Sequence, residues 1–128
     1  MTKDFLASHA ELLVYRLAME AAMQVYNLSL EFPDTERTLL TEQILKSSRS
    51  VCANFAEAWQ KRRYRGAFVA KLNEVEAEAA ETQTWIEIAM FCEYVDLAAG
   101  RELLHQYNTI LTAIARLIQS ADAWVVSS

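Results

Sequence analysis

Four segments of this chain place apolar residues at alternating spacings of three and four, the pattern of a helix buried along one face. The first runs from about Ser8 to Glu31, with Val14, Ala18, Ala21, Val25, Leu28 and Phe32 as its stripe. Ser8 and Glu11 have the spacing of a capping box at its start, and Pro33 ends it, because proline lacks an N–H and disfavours helix at Phe32. The second runs from Asp34 or Thr35 to about Arg63, with Leu40, Ile44, Ser48, Val51, Phe55 and Ala58 facing inward. Thr41 is an alternative N-cap after a loose first turn. A short turn follows, in which Gly66 is expected to take a left-handed conformation past the helix end. The third helix runs from about Ala67 to Tyr94 on Phe68, Leu72, Val75, Ala79, Thr82, Ile86 and Ala89. Asp96 is positioned to cap the fourth, Leu97 to Trp124, whose stripe is Leu103, Tyr107, Ile110, Ile114, Leu117, Ala121 and Trp124. Residues from Val125 onward are expected to fray.

Four such helices with short connections must alternate in direction. The expected fold is an all-α, antiparallel, left-handed up-down-up-down four-helix bundle in a single domain over residues 1–128. Composition sharpens this. With Gly 2 and Pro 1 in 128 residues there is little material for tight hairpins, and hydrophobic residues at 53% exceed what one small core needs. That excess points to a second buried surface, such as a subunit interface. Cys52 and Cys92 lie too far apart for a paired-cysteine metal motif, and two free thiols fit a reducing cytosol. The N-terminus lacks the basic and apolar regions of a secretory signal, and no apolar run is long enough to span a bilayer. A cytoplasmic location without membrane attachment is expected.

Charge is unevenly spread. The chain carries a net −5, yet Lys46 to Lys71 holds Lys46, Arg49, Lys61, Arg62, Arg63, Arg65 and Lys71 against Glu57 alone. That segment is therefore +6 and the remainder −11. Overall acidity disfavours non-specific nucleic-acid binding. The basic turn, with Trp59 and Tyr64 interleaved, nevertheless has the chemistry of a phosphate-binding patch with stacking rings. The same cations also suit a helix C-terminus, or ion pairs to the glutamate-rich third helix of a neighbouring subunit. The candidate contact residues are Arg49, Trp59, Lys61, Arg62, Arg63, Tyr64 and Arg65.

Other constellations give less. Glu102-Leu-Leu-His105 has the Glu-x-x-His spacing of di-iron bundles, but both residues fall off the inner stripe, and the only other histidine is His9. No nucleophile lies beside a base, and Gly66 and Gly100 form no phosphate loop. No catalytic residue, metal or cofactor is assigned. Asn54 flanks the inner stripe and is expected to be at least partly buried, fixing register through Glu81 or a backbone group, with Glu57 and Glu81 as further buried polar residues. Glu57 is expected to pair with Lys61 or Arg62.

The order Ser50-Val51-x-Ala53-Asn54-x-Ala56-Glu57-x-Trp59 followed by Lys61-Arg62-Arg63 resembles the signature of a bacterial four-helix-bundle family encoded by intervening sequences in 23S ribosomal RNA genes. Supporting matches include Val14-Tyr15-Arg16-Leu17-Ala18-Met19, Val25-Tyr26, Phe32-Pro33, Thr41-x-Gln43-Ile44, Phe68, Leu72, Glu81 and Glu93-Tyr94-Val95. The chain departs from the family pattern at Ala58, where glycine is usual, and at Ala77-Glu78, where Gly-Ser is frequent. The resemblance implies a cytosolic, non-enzymatic bundle that assembles with itself as a ring, a homopentamer. The family is also similar in fold to the accessory protein of diversity-generating retroelements, a pentameric bundle that binds nucleic acid through a basic surface. Two functions follow as expectations: a self-assembling interaction protein, or a module binding RNA or single-stranded DNA through the basic turn.

Overall fold

The computed structural model describes residues 12–126, and every regular element among them is a helix. In chain order these are α1 (Leu13–Ser29), a 3-10 turn (Asp34–Glu36), a π-helical segment (Arg37–Thr41), α2 (Glu42–Gln60), α3 (Arg65–Phe91), α4 (Leu97–Gln119) and the short α5 (Ala121–Trp124). The capping box expected at Ser8 and Glu11 lies outside the described residues. No described helix is long and apolar enough to cross a membrane.

The hydrophobic stripes become the core almost residue for residue. All seven α3 stripe positions are buried, as are Leu40, Ile44, Ser48, Val51, Phe55 and Ala58. Val14, Ala18, Ala21, Val25 and Phe32 are buried from the first stripe, and Leu103, Tyr107, Ile110, Ile114 and Ala121 from the last. Leu28, Leu117 and Trp124 pack on the core but stay half-exposed. α1 packs against α2 and α4, α2 also against α3, and α3 also against α4; α5 lies on α3 and α4. A buried polar contact ties α2 to α3: Thr82 Oγ1 lies 2.8 Å from Ser47 Oγ and 2.8 Å from the Glu78 carbonyl. The Thr82 hydroxyl donates toward both acceptors, and the Ser47 hydroxyl in turn donates to the Ile44 carbonyl at 3.4 Å.

The boundaries differ from expectation where the backbone departs from an α-helix. Continuous α-structure begins only at Glu42; Thr41 before it is itself helical (φ −58°, ψ −53°) and makes no side-chain capping bond, so it does not cap the helix as expected. Before it, the π segment fits five residues between Arg37 and Thr41, turning Leu40 into the core and leaving Leu39 in solvent. α2 ends at Gln60, earlier than Arg63. α3 ends at Phe91, and α4 breaks at Ser120, where φ −104° and ψ 24° leave helical geometry.

Gly66 is not left-handed. It is the second residue of α3, and no described glycine has positive φ. The turn before it closes through Tyr64 in extended conformation (φ −123°, ψ 113°), so no left-handed residue is needed there. The positive φ falls instead on Glu93, at 61°. There the Tyr94 N–H reaches back to the Ala89 carbonyl at 2.9 Å and the Glu93 N–H to Met90 at 3.0 Å. This is a Schellman closure with glutamate where glycine is usual. Asp96 caps α4 as predicted, accepting from the Ala99 N–H at 3.4 Å. At Gly100 a Cβ would fall 2.6 Å from Met90 Cγ and Sδ, so any larger residue there would require the Met90 side chain to move.

Candidate functional site

The basic turn sits where α2 ends, and an aromatic cluster braces it. Trp59 is fully buried, 6.1 Å from Phe55, 6.2 Å from Phe68 and 5.5 Å from Trp124 between ring centroids. Arg62 folds back over this cluster. Its guanidinium carbon lies 3.9 Å from the centre of the Trp59 ring, and its Nε donates to the Trp59 carbonyl at 2.8 Å. The guanidinium thus satisfies one of the last carbonyls of α2 while stacking on an aromatic face. Burial holds its pKa below the ordinary arginine value. The chain's end completes the arrangement: the Val126 N–H donates to the Arg62 carbonyl at 3.0 Å, and Arg65 Nε pairs with Asp122 Oδ1 at 2.6 Å.

Two of the seven candidate contact residues are therefore structural. Trp59 and Arg62 are buried in the end of the core and present nothing to a partner. Arg65 is exposed but paired. Arg49, Lys61 and Arg63 are exposed and make no ion pair with another described residue, and Tyr64 is 66% exposed beside them. The open site at the turn is thus Lys61, Arg63 and Tyr64, with Arg65 at its edge, while Arg49 stands apart, about three turns back along α2.

Of the polar residues expected to be buried, Glu57 and Glu81 are not, and only Asn54 is partly so. Asn54 is half-buried and makes no side-chain hydrogen bond among the described residues. Glu81 is exposed and accepts from Trp85 Nε1 at 3.1 Å, one turn along its own helix. Glu57 is exposed too, and pairs across to Lys71 on α3 at 3.0 Å rather than with Lys61 or Arg62. The hydrogen bonds that the Lys71 ammonium donates to Glu57 and then to Glu74 raise its pKa. The buried polar contact that registers α2 on α3 is Ser47–Thr82 instead, which a small-residue stripe position such as Ser48 does not reveal.

Glu102 and His105 are both exposed, and no group of three or more metal-ligating side chains occurs among the described residues. His9 lies outside them. Cys52 is buried, and that burial pushes its thiol up to about 11, whereas Cys92 is exposed. At the other end of the helices, Tyr94 donates to Glu36 at 2.7 Å. That bond, then burial, moves the phenol up to about 12.

One surface escaped the reading of the inward stripes. The outward face of α3 carries Ala70, Ala77, Ala80, Thr84, Ile88 and Phe91, all exposed and uncharged. Phe91 is 87% exposed. Glutamates border this strip: Glu74 and Glu81 on one side, Glu87 on the other. The signal was available, since these positions repeat at three, four and seven beside the inner stripe. α3 is thus apolar on two faces, whereas a helix with one buried face is polar on the other.

Comparison with known proteins places this architecture. A family model described as 23S rRNA-intervening sequence protein matches residues 10–116. The chain belongs to that family. The match takes in α1 to most of α4 and stops before α5, so the Asp122 and Val126 contacts on the basic turn lie outside the region it covers. Among solved structures, the chain is similar to a protein of unknown function from the S23 ribosomal protein family of Bacteroides thetaiotaomicron. The TM-score is 0.76 at 28% sequence identity, covering 83% of this chain and 98% of the other. No curated protein matches.

Proposed function

We infer that this family member is a non-enzymatic assembly protein of the cytoplasm. It is read as an antiparallel up-down-up-down four-helix bundle that self-associates into a ring-like homo-oligomer, a pentamer by the family resemblance. Antiparallel packing is supported by contacts whose residue numbers have a nearly constant sum: Trp59 with Phe68, Glu57 with Lys71, Ser47 with Thr82. Self-association is carried by the uncharged outer face of α3. An isolated bundle gains nothing from exposing Ile88 and a nearly bare Phe91, whereas a second copy would remove them from water. Burying a side chain of that size is worth ~2–3 kcal/mol. Sedimentation of the native chain at micromolar concentration tests this. A multiple of the 14.6 kDa chain mass is expected, and a monomer would refute it.

A second reading has its own observation. Lys61 and Arg63 are exposed without ion pairs beside the exposed ring of Tyr64, and Arg49 is exposed farther back along α2. Such a patch suits the phosphates and bases of RNA or single-stranded DNA. Binding would weaken steeply with salt. Absence of any mobility shift with structured RNA or single-stranded DNA at low salt would remove it.

A further inference from the structure

Self-assembly needs a surface that receives the α3 face, and two candidates present themselves: the same face of a second copy, or a different one. Pairing α3 on α3 about an antiparallel two-fold would set the Glu74 and Glu81 border against its own copy and Glu87 against its own. Lys71 pairs with Glu74, but Glu81 and Glu87 would face like charge. The charge pattern favours a basic receptor, and the outward side of α2 supplies one. Arg49 and Ala53 are exposed there beside a shallow groove lined by Leu45, Lys46 and Ser50, with one acidic residue, Glu42, at its N-terminal end. The unpaired Lys61 and Arg63 continue the positive edge past the helix end. Lys46 is partly committed within the chain, since its charge acts on Glu78. Arg49, Lys61 and Arg63 are not.

We propose that the outer face of α3 in one copy docks on the basic outer edge of α2 and its turn in a second copy, in a head-to-tail contact. The proposal rests on the self-assembly reading above and names the surfaces that carry it. Ile88, Phe91 and the alanines lose water, while Glu74, Glu81 and Glu87 meet Arg49, Lys61 and Arg63. The two surfaces belong to different helices, α2 and α3, which pack on each other. The contact is therefore heterologous, and it closes into a ring when the rotation between successive copies divides a full turn. In the assembled ring the basic edge is occluded, which places the self-assembly and nucleic-acid readings in competition for the same cations.

Complementation between two variants tests it. One variant, Ala77→Arg with Thr84→Arg, loses the α3 face; the other, Arg49→Glu with Arg63→Glu, loses the receiving edge. All four positions are exposed, so both variants should keep wild-type helicity by circular dichroism. Each alone is expected to sediment at the 14.6 kDa chain mass, and an equimolar mixture at twice that mass and no higher, since only one intact pair of surfaces remains. A mixture that stays monomeric, or single variants that keep the wild-type mass, would overturn the proposal while an oligomeric wild type leaves the broader reading intact. A monomeric wild type would remove both.

Discussion

Tyr107 offers a test of the core that does not depend on any assumed partner. Its side chain is fully buried on the α4 stripe, and its hydroxyl is the one buried side-chain polar atom among the described residues without a hydrogen-bond partner. Burial first, and the neighbouring Cys52 second, drive its pKa well above the ordinary phenol value, so the hydroxyl stays protonated and unpaired. Stripping such a group of water without a replacement bond costs about 1–3 kcal/mol. Tyr107→Phe keeps the ring and deletes the one unsatisfied atom, leaving a gap smaller than a methyl group. The lost dispersion offsets part of the gain, so a net stabilisation of about 1 kcal/mol is expected. For a domain of this size that corresponds to a rise in Tm of roughly 3–5 °C. Urea and thermal unfolding at matched protein concentration, which controls for any mass-action term, give the comparison. A fall in stability would mean that the hydroxyl is satisfied and the reasoning wrong.

Four further outcomes follow from named contacts. Glu93→Gly relieves a left-handed backbone and should stabilise by about 0.5–1 kcal/mol in denaturant unfolding, whereas no change would deny the strain. Trp59→Ala removes the ring on which Arg62, Phe55, Phe68 and Trp124 converge and should cost about 3–5 kcal/mol; a cost below 1 kcal/mol would contradict its place in the core. Glu78→Gln should raise Tm at pH 7 but not near pH 4. Burial and then Glu81 raise the Glu78 pKa, so its ionised form opposes folding above that pKa and the penalty vanishes once the proton is bound. An equal gain at both pH values would assign the effect to packing. In thiol titration of the folded chain, exposed Cys92 should react at once and buried Cys52 only on unfolding; two fast thiols would place Cys52 at the surface.

Legibility tracked the range of the interaction. The α3 stripe was readable because each of its seven positions is set by helical period alone. The start of α2 was only half readable. Pro33 announces a break, but nothing between Asp34 and Thr41 signals a 3-10 turn followed by a π segment, which depends on seating Leu40 in the core. The basic run was visible as charge, yet its members look alike in sequence. That Arg62 turns inward while Lys61 and Arg63 stay out is decided by the carbonyl of Trp59 and by Val126, which lies far along the chain. Arg65 was likewise claimed by Asp122, 57 positions away. Asn54 is half-buried, as its place beside the stripe implies, but partial burial does not supply a partner, and the hydroxyl pair Ser47–Thr82 makes the register contact instead. The left-handed residue was sought at a glycine and found at Glu93, where the Schellman closure imposes it.

The most direct measurement is the mass of the unmodified chain in solution, by light scattering at micromolar concentration and moderate salt. Self-assembly through the outer face of α3 predicts one discrete species at three or more times the 14.6 kDa chain mass, reduced to the chain mass by Ala77→Arg with Thr84→Arg. A wild-type chain that scatters as a monomer at every concentration would contradict the account and leave the exposed Phe91 unexplained.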